Sequence, residues 1–230
     1  MAWRSSGPTN EALITNLYRN GLITTERVRN AMLSVDRAHY APAQPYEDSP
    51  QRIGYKATIS APHMHANAAE SLLAYLQPGS KVLDVGSGSG YLTHVLAELV
   101  KGHNEKTGEK GVVVGVEHIQ PLVDMSIENT GKSEEGRGLL GSGQLKYVKG
   151  DGRLGWEAEA PYDAIHVGAA AAGHQQKLVD QLKSPGRLFI PVEEEGLQHI
   201  YVVDKDSEGK VTRKKEYGVR YVALTDAPVE

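Results

Sequence analysis

Residues 82–90 read Val82-Leu83-Asp84-Val85-Gly86-Ser87-Gly88-Ser89-Gly90, and Tyr91–Val100 continues with helical character. A short apolar run that passes directly into a glycine-rich turn and a helix is the opening βα unit of an open parallel sheet, the place where such sheets bind ligands. Downstream, Val112–Val116, Leu145–Val148, Ala164–Val167 and Leu188–Val192 are further strand candidates, with helices expected at Pro121–Thr130 and Gln175–Leu182. Strand alternating with helix predicts parallel pairing. The links Lys101–Lys110 and Gly131–Gly143 are polar and glycine-rich and read as exposed loops. His199–Val203, Val211–Glu216 and Val219–Leu224 are β-type runs joined around Ser207-Glu208-Gly209, which predicts antiparallel strands closing the sheet. The expected fold is α/β: a doubly wound, mostly parallel sheet with antiparallel C-terminal strands and N-terminal helices.

Upstream of the turn, Leu13, Ile14, Leu17 and Tyr18 fall at helical spacing, with Gly21 placed to stop that helix. Thr25 can cap a second helix carrying Val28, Met32 and Val35, and Pro42, Pro45 and Pro50 then forbid regular structure. Arg52–Ser60 reads as extended, and Ala66–Leu76 as an amphipathic helix ended by Pro78-Gly79, with Ser60 just ahead of it as an alternative N-cap. We read one domain over 1–230: a cap at 1–80, a parallel core at 81–192 and C-terminal strands at 193–230. With 230 residues, 40% hydrophobic and 23% charged, the chain is ordinary globular material that needs no metal or disulfide to build a core. Its formal charge of −4 argues against a phosphate-neutralising surface, so no nucleic-acid partner is expected. The absence of cysteine excludes thiolate chemistry and fits a reducing compartment, so the cytoplasm is the expected location. No stretch approaches a membrane span, and no membrane partner is expected.

Asp84 stands two residues ahead of the first glycine, and the spacing is G-x-G-x-G rather than G-x-G-x-x-G, so a pyrophosphate would meet a like charge. That disfavours a nicotinamide dehydrogenase. A cationic ligand suits the site better, and S-adenosylmethionine carries an amino group and a sulfonium but no phosphate. The weaker alternative is a tight structural turn with a solvated Asp84, which the strand and helix on either side disfavour. Glu117, 27 positions after Gly90, ends the second strand, where a carboxylate can accept both hydroxyls of a ribose. Asp151, in Gly150-Asp151-Gly152-Arg153, follows the third, where it can accept from an adenine amino group while Gly152 lets the ring approach the backbone. Acids at three successive strand ends face one crevice and together predict an adenosyl pocket.

Ala57–Ala66 (ATISAPHMHA), the Val82–Gly90 turn, Gly150–Arg153, Pro161–Ala169 (PYDAIHVGA) and Tyr221–Asp226 (YVALTD) together resemble the protein L-isoaspartate (D-aspartate) O-methyltransferases over nearly the whole chain. The opening Met1–Gly7 (MAWRSSG) is similar to the eukaryotic type. The resemblance implies a Rossmann-like class I methyltransferase fold. It also implies transfer of a methyl group from S-adenosylmethionine to the free carboxylate of L-isoaspartyl residues in damaged proteins and peptides, giving an ester that collapses to a succinimide; acceptance of D-aspartyl residues stays open. By motif match, Ser60 is the implied catalytic residue. The implied donor contacts are Thr58, Ile59, His65, Asp84, Gly86, Ser87, Gly88, Glu117, His118, Asp151, Gly152 and Thr225. Departures from the family pattern occur at Glu193-Glu194-Glu195, Ala172-Gly173-His174 and Ala223.

A carboxylate with a pKa of about 4 is ionised at neutral pH, so its attack on a methyl carbon needs no strong base, and positioning in a dry site carries the rate. Ser60 would then orient the carboxylate rather than act as a nucleophile. A substrate that varies in sequence is best held by its main chain, and Arg220–Leu224 is the strand expected to do so, with Ile59, Ser60, Arg220, Tyr221 and Val222 as substrate contacts. His63 and His65 lie two apart on a helix and point to different faces, so no metal is expected. His166, inside an apolar strand, reads as a core or pocket-wall group. Glu193–Glu195 and Arg213–Lys215 read as solvated faces. A monomer is the expected state. The adenosyl pocket by itself also fits a methyltransferase of another substrate class or a non-catalytic binding protein.

Overall fold

Threonines start both N-terminal helices of the computed structural model, which describes residues 5–226. Thr9 accepts from the Ala12 amide at 3.1 Å to open α1 (Asn10–Arg19), and Thr25 caps α2 (Glu26–Ser34). Met1–Arg4 of the N-terminal motif lie outside the described residues. The proline-marked stretch gives way to a hairpin of β1 (Gln51–Gly54) and β2 (Ala57–Ile59), whose tip residues Tyr55 and Lys56 have φ of 48° and 59°. Next comes α3 (Pro62–Leu72), which starts four residues earlier than the periodicity suggested. Ala61 occupies its N-cap position without a side-chain bond, so Ser60 is not the cap. Glu70 of α3 instead reaches back, its carboxylate accepting from the amides and hydroxyls of Thr24 and Thr25 and tying the helical cap together.

The sheet has the order β5-β4-β3-β6-β7-β8-β9. Its strands are β3 (Lys81–Val85), β4 (Val112–Glu117), β5 (Leu145–Lys149), β6 (Tyr162–Val167), β7 (Leu182–Glu194), β8 (Leu197–Lys205) and β9 (Val211–Val219). The pairs from β5 through to β7 are parallel, and β7–β8 and β8–β9 are antiparallel, as expected. The chain leaves β3 toward β4 and β5, then returns to the other side of β3 with β6. A crevice therefore opens where the β3 and β6 ends diverge, the switch point at which doubly wound sheets take ligands. Against the sheet lies α4 (Tyr91–Val100), buried along its whole length because nearly every residue of YLTHVLAELV is apolar or paired. The remaining helices are α5 (Gln120–Thr130), α6 (Glu134–Gly141) and α7 (Gln176–Asp180). No helix among the described residues is long and apolar enough to cross a membrane.

Three local expectations need correction. Gly131–Gly143 is not a loop throughout: Ser133 accepts from the Gly136 amide at 3.0 Å and caps α6, whose glycines hide its periodicity. The helix expected at Gln175–Leu182 is only α7, because Leu182 already begins a 13-residue β7, pairing there with Tyr162 of β6, while β8 pairs with Gly186–Glu194. Val219–Leu224 is not a strand of the sheet. Only Val219 belongs to β9, after which the chain crosses to Ala170, whose amide donates to the Val222 carbonyl at 2.7 Å and whose carbonyl accepts from Leu224 at 2.8 Å. The family departures at Ala172–His174 and Glu193–Glu195 meet one another: Glu194 accepts from the Tyr201 hydroxyl at 2.6 Å, and Lys215 and His174 approach it at 3.6 and 3.9 Å. The Tyr201 hydrogen bond holds the Glu194 carboxyl below its usual range.

Two α6 glycines give opposite predictions. A Cβ on Gly136 would lie 2.0 Å from the Thr130 carbonyl oxygen, whereas none of its surroundings approach a Cβ on Gly138 within 4 Å. Urea unfolding should show Gly138→Ala stabilising by about 0.5–1 kcal/mol and Gly136→Ala destabilising by about 1–3 kcal/mol. Equal effects would contradict this placement of α6.

Candidate active site

Left-handed backbone shapes the turn after β3: φ is 78° at Gly86, 56° at Gly88 and 92° at Gly90, conformations that cost an L-residue strain. The amides of Gly86 and Ser87 donate to the Val116 carbonyl at 2.8 and 3.2 Å, which pins the turn to β4. Space above Gly86 is open, the nearest atom to a Cβ built on it being the Gly168 carbonyl carbon at 3.9 Å. Gly152 is small for a reason other than ring approach: a Cβ there would lie 2.3 Å from Val85 Cγ1, so packing on β3 demands glycine.

The three strand-end acids are held differently. Asp84 is 1% exposed, and its carboxylate accepts from Thr93 Oγ1 at 2.6 Å and meets His166 Nδ1 at 2.7 Å. It is therefore a buried, paired acid rather than a solvated one. Glu117 accepts from the amides of His118 at 2.8 Å and Ile119 at 3.1 Å through Oε1, and from Gly88 at 3.2 Å through Oε2. These bonds immobilise it and leave oxygen lone pairs for further donors. Asp151 is gripped by Arg153, with Nη2 donating at 2.7 Å, and that hydrogen bond holds its carboxyl below the usual range. The same Arg153 nitrogen donates to Asp226 at 2.5 Å, bringing the C-terminal segment over the crevice.

Three connected spaces surround these groups. One, of about 250 Å³, is lined by Thr58, Gly86, Gly88, Glu117, His118, Asp151, Gly152 and Thr225, all expected donor residues. Tyr55 and Lys56 of the hairpin tip close one side of it, and Val222–Asp226 another. A second, of about 30 Å³, is bounded by Ile59, His65, Asp84 and Ser87, the remaining expected donor residues, together with Ser60, His166 and Tyr91. The third, a groove of about 620 Å³, holds Ser60, Arg220, Tyr221 and Val222. Ile59, expected to face donor and substrate alike, lines only the smallest space. Thr58 and Gly168 border all three, and Ser60 stands between the smallest space and the groove.

The groove lies further upstream on the chain than expected. Tyr217–Val222 forms its wall, while Ala223 and Leu224 face the 250 Å³ cavity instead. Tyr221 is held at both backbone ends by Gln198, whose side chain accepts from its amide at 2.6 Å and donates to its carbonyl at 3.2 Å. Burial raises the Tyr221 phenol. His63 and His65 part company as anticipated: His63 Nδ1 meets Asp48 at 2.7 Å, whereas His65 Nδ1 accepts from Arg37 at 3.2 Å. Burial, then the Arg37 charge, keeps His65 well below its ordinary pKa and hence neutral. No group of three or more potential metal-binding side chains occurs among the described residues. His166 lines the smallest space beside its register partner Asp84, in keeping with a core or pocket-wall group, whereas Ser89 and Tyr91, which line the same space, were not assigned from sequence.

The residues present fit an S-adenosyl ligand. A fixed carboxylate, Glu117, faces the larger cavity, the left-handed turn leaves open space over Gly86, and Ser87, Ser89 and Tyr91 carry buried hydroxyls without partners among the described residues. Comparison with known proteins points the same way. A family model described as protein-L-isoaspartate(D-aspartate) O-methyltransferase matches residues 8–228. A Caenorhabditis elegans protein-L-isoaspartate O-methyltransferase is 50% identical over 226 residues, 98% of this chain and 96% of its own length. Protein-L-isoaspartate O-methyltransferase 1 of Arabidopsis thaliana is 48% identical over 223 residues, 96% of this chain and 93% of its own. A crystal structure of a Plasmodium falciparum beta-aspartate methyltransferase in complex with S-adenosyl-L-homocysteine superposes with a TM-score of 0.85 at 36% identity, covering 95% of this chain and 99% of that one. With a match over almost its full length and eukaryotic relatives near half identity, the chain belongs to the protein-L-isoaspartate (D-aspartate) O-methyltransferase family.

Proposed function

We propose that the chain repairs aged proteins by moving a methyl group from S-adenosylmethionine to the free carboxylate of L-isoaspartyl residues. The observation that carries this reading is the junction at Thr58, Ser60 and Gly168, where the spaces suited to a nucleoside and to a peptide meet. S-adenosylmethionine supplies, when bound, an electrophilic methyl group on a sulfonium. Glu117 accepts hydrogen bonds from the ribose hydroxyls, Asp151 serves the adenine edge, and Val222–Thr225 covers that cavity. Ser60 donates a hydrogen bond to the substrate carboxylate and aligns one oxygen at the junction. No proton has to move, so the residues contribute by orientation and by excluding water. Once esterified, the substrate's own following amide nitrogen displaces methanol and forms a succinimide, a step that asks nothing further of the protein.

The same proposal takes the chain as one methyltransferase domain acting as a monomer in the cytoplasm, without nucleic-acid partners; its lack of cysteine and its net charge of −4 support the last two points. Main-chain recognition by Tyr217–Val222 suits damage that arises in many sequences. The test is an isoaspartyl peptide and its normal aspartyl twin, each incubated with methyl-labelled donor. Alkali-labile, volatile label should appear only with the isoaspartyl peptide; base-stable label, or equal labelling of both, would overturn the reading.

Ser60→Ala should lower kcat by roughly 10²-fold, the scale of one lost transition-state hydrogen bond, while S-adenosylhomocysteine binds within about twofold of the parent by calorimetry. Unaltered turnover would remove Ser60 from its assigned role. Glu117→Gln should weaken that nucleoside by roughly tenfold or more, since a charged acceptor is lost. Val222→Pro keeps the carbonyl bonded to Ala170 but deletes an amide without a partner among the described residues. Its expected signature is a peptide KM raised roughly tenfold, about one charge-free hydrogen bond; an unchanged KM would place peptide binding elsewhere.

A further inference from the structure

The smallest space lies beneath the glycine-rich turn and has a polar lining. Ser87, Ser89 and Tyr91 all border it, and the hydroxyl of each is buried with no hydrogen-bond partner among the described residues. Its volume of about 30 Å³ is room for about two waters or for one small polar group. It shares Thr58, Gly86, Gly88 and Gly168 with the larger nucleoside cavity, so a ligand seated there can extend into it.

Tyr91 differs from the two serines in what stands behind it. Arg37 is 0% exposed, and its guanidinium carbon lies 5.0 Å from the centre of the Tyr91 ring. It donates to the Ser60 carbonyl at 2.7 Å and to His65 Nδ1 at 3.2 Å, while its Nε has no partner among the described residues. Asp48, the acid that acts on it through space, is bonded to His63 instead, so no carboxylate among the described residues hydrogen-bonds to this buried cation. Burial lowers the guanidinium to about 10 and raises the Tyr91 phenol to about 12, which leaves the first charged and the second a proton donor at neutral pH. A buried cation of this kind favours an anion brought beside it. Asp84, an acid whose two oxygens also meet Thr93 and His166, borders the same space. The space thus combines an acid, Asp84, with an unpartnered phenol that has a cation over its ring, groups that suit the ammonium and the carboxylate of an α-amino acid.

We propose that the Tyr91 hydroxyl binds the carboxylate at the amino-acid end of the methyl donor, with Arg37 behind the ring as a positioning residue and countercharge. This rests on the donor assignment above and adds to it two residues outside the family motif contacts. S-adenosylhomocysteine and 5′-methylthioadenosine separate the two, because they share adenosine and thioether and only the first carries the amino acid. Calorimetry on the full chain should give Tyr91→Phe a Kd for S-adenosylhomocysteine raised roughly fivefold to twentyfold, the range for a hydrogen bond to a charged group, and a Kd for 5′-methylthioadenosine changed less than twofold. Arg37→Lys should retain more of the S-adenosylhomocysteine affinity than Arg37→Met does. Tyr91→Phe keeps the ring and its packing, so the result does not depend on the arginine variants folding. Equal losses for both ligands, or no loss for either, would overturn the role of Tyr91. If the parent protein bound neither nucleoside, the donor assignment itself would fall.

Discussion

The carboxylate of Asp84 joins the elements that make the crevice. It ends β3, accepts from Thr93 on α4 and meets His166 on β6, so one buried group fixes the strand, the helix and the returning strand on either side of the switch point. Taking one partner from such a pair leaves an uncompensated charge in the interior, at a cost of about 3–5 kcal/mol. The glycine-rich turn begins two residues later and holds three left-handed residues between two anchors: its start is tied to the Val116 carbonyl by the Gly86 and Ser87 amides, and its end by Asn129 and the Tyr147 hydroxyl, which donate to the carbonyls of Ser89 and Gly90 at 3.1 Å each.

Around that anchor the chain divides the crevice by chemistry. Rigid acids, Glu117 and Asp151, stand on the side toward β4 and β5, where a nucleoside has hydroxyls and an amino group to offer. On the other side the groove has Tyr217–Val222 as its wall, a segment that runs off the end of β9 at Val219 and is held beyond it by Gln198 and Ala170. Val222 borders both spaces, so the segment proposed to cover the nucleoside is continuous with the one proposed to meet the peptide. This coupling needs no moving part, since the order of the chain alone supplies it. The helical cap contributes from behind: Arg37 supports the Ser60 carbonyl, which places the segment following α2 in contact with the chemistry although α1 and α2 line none of the three spaces.

Much of this was legible in the residues because it is local. The β3–turn–α4 unit, the alternation that follows and the acids at strand ends all depend on spacing within a few residues. What escaped depends on partners far along the chain or on masked periodicity. Asp84 reads as a ligand-site acid, but its pairing with His166, 82 residues away, appears only when the sheet brings them together. The helix α6 carries glycines at positions where periodicity would need larger residues, and Gly136 is required there by the approach of the Thr130 carbonyl. Val219–Leu224 has the composition of a strand, yet the hydrogen bonds of Tyr221 go to the Gln198 side chain rather than to a neighbouring strand, which no pattern of side chains encodes. Tyr91 reads as one more apolar position of a buried helix; only its unpartnered hydroxyl marks it as different.

The central claim is spatial: a nucleoside on the acid-lined side, with its reactive sulfur at the junction bordered by Thr58, Ser60 and Gly168. A crystal structure of the full chain with S-adenosylhomocysteine tests it most directly. The account predicts the ribose hydroxyls on Glu117, the adenine beside Asp151 and Gly152, and the sulfur within reach of Ser60. Electron density for the nucleoside in the Tyr217–Val222 groove, or an S-adenosyl site that leaves Glu117 untouched, would contradict it.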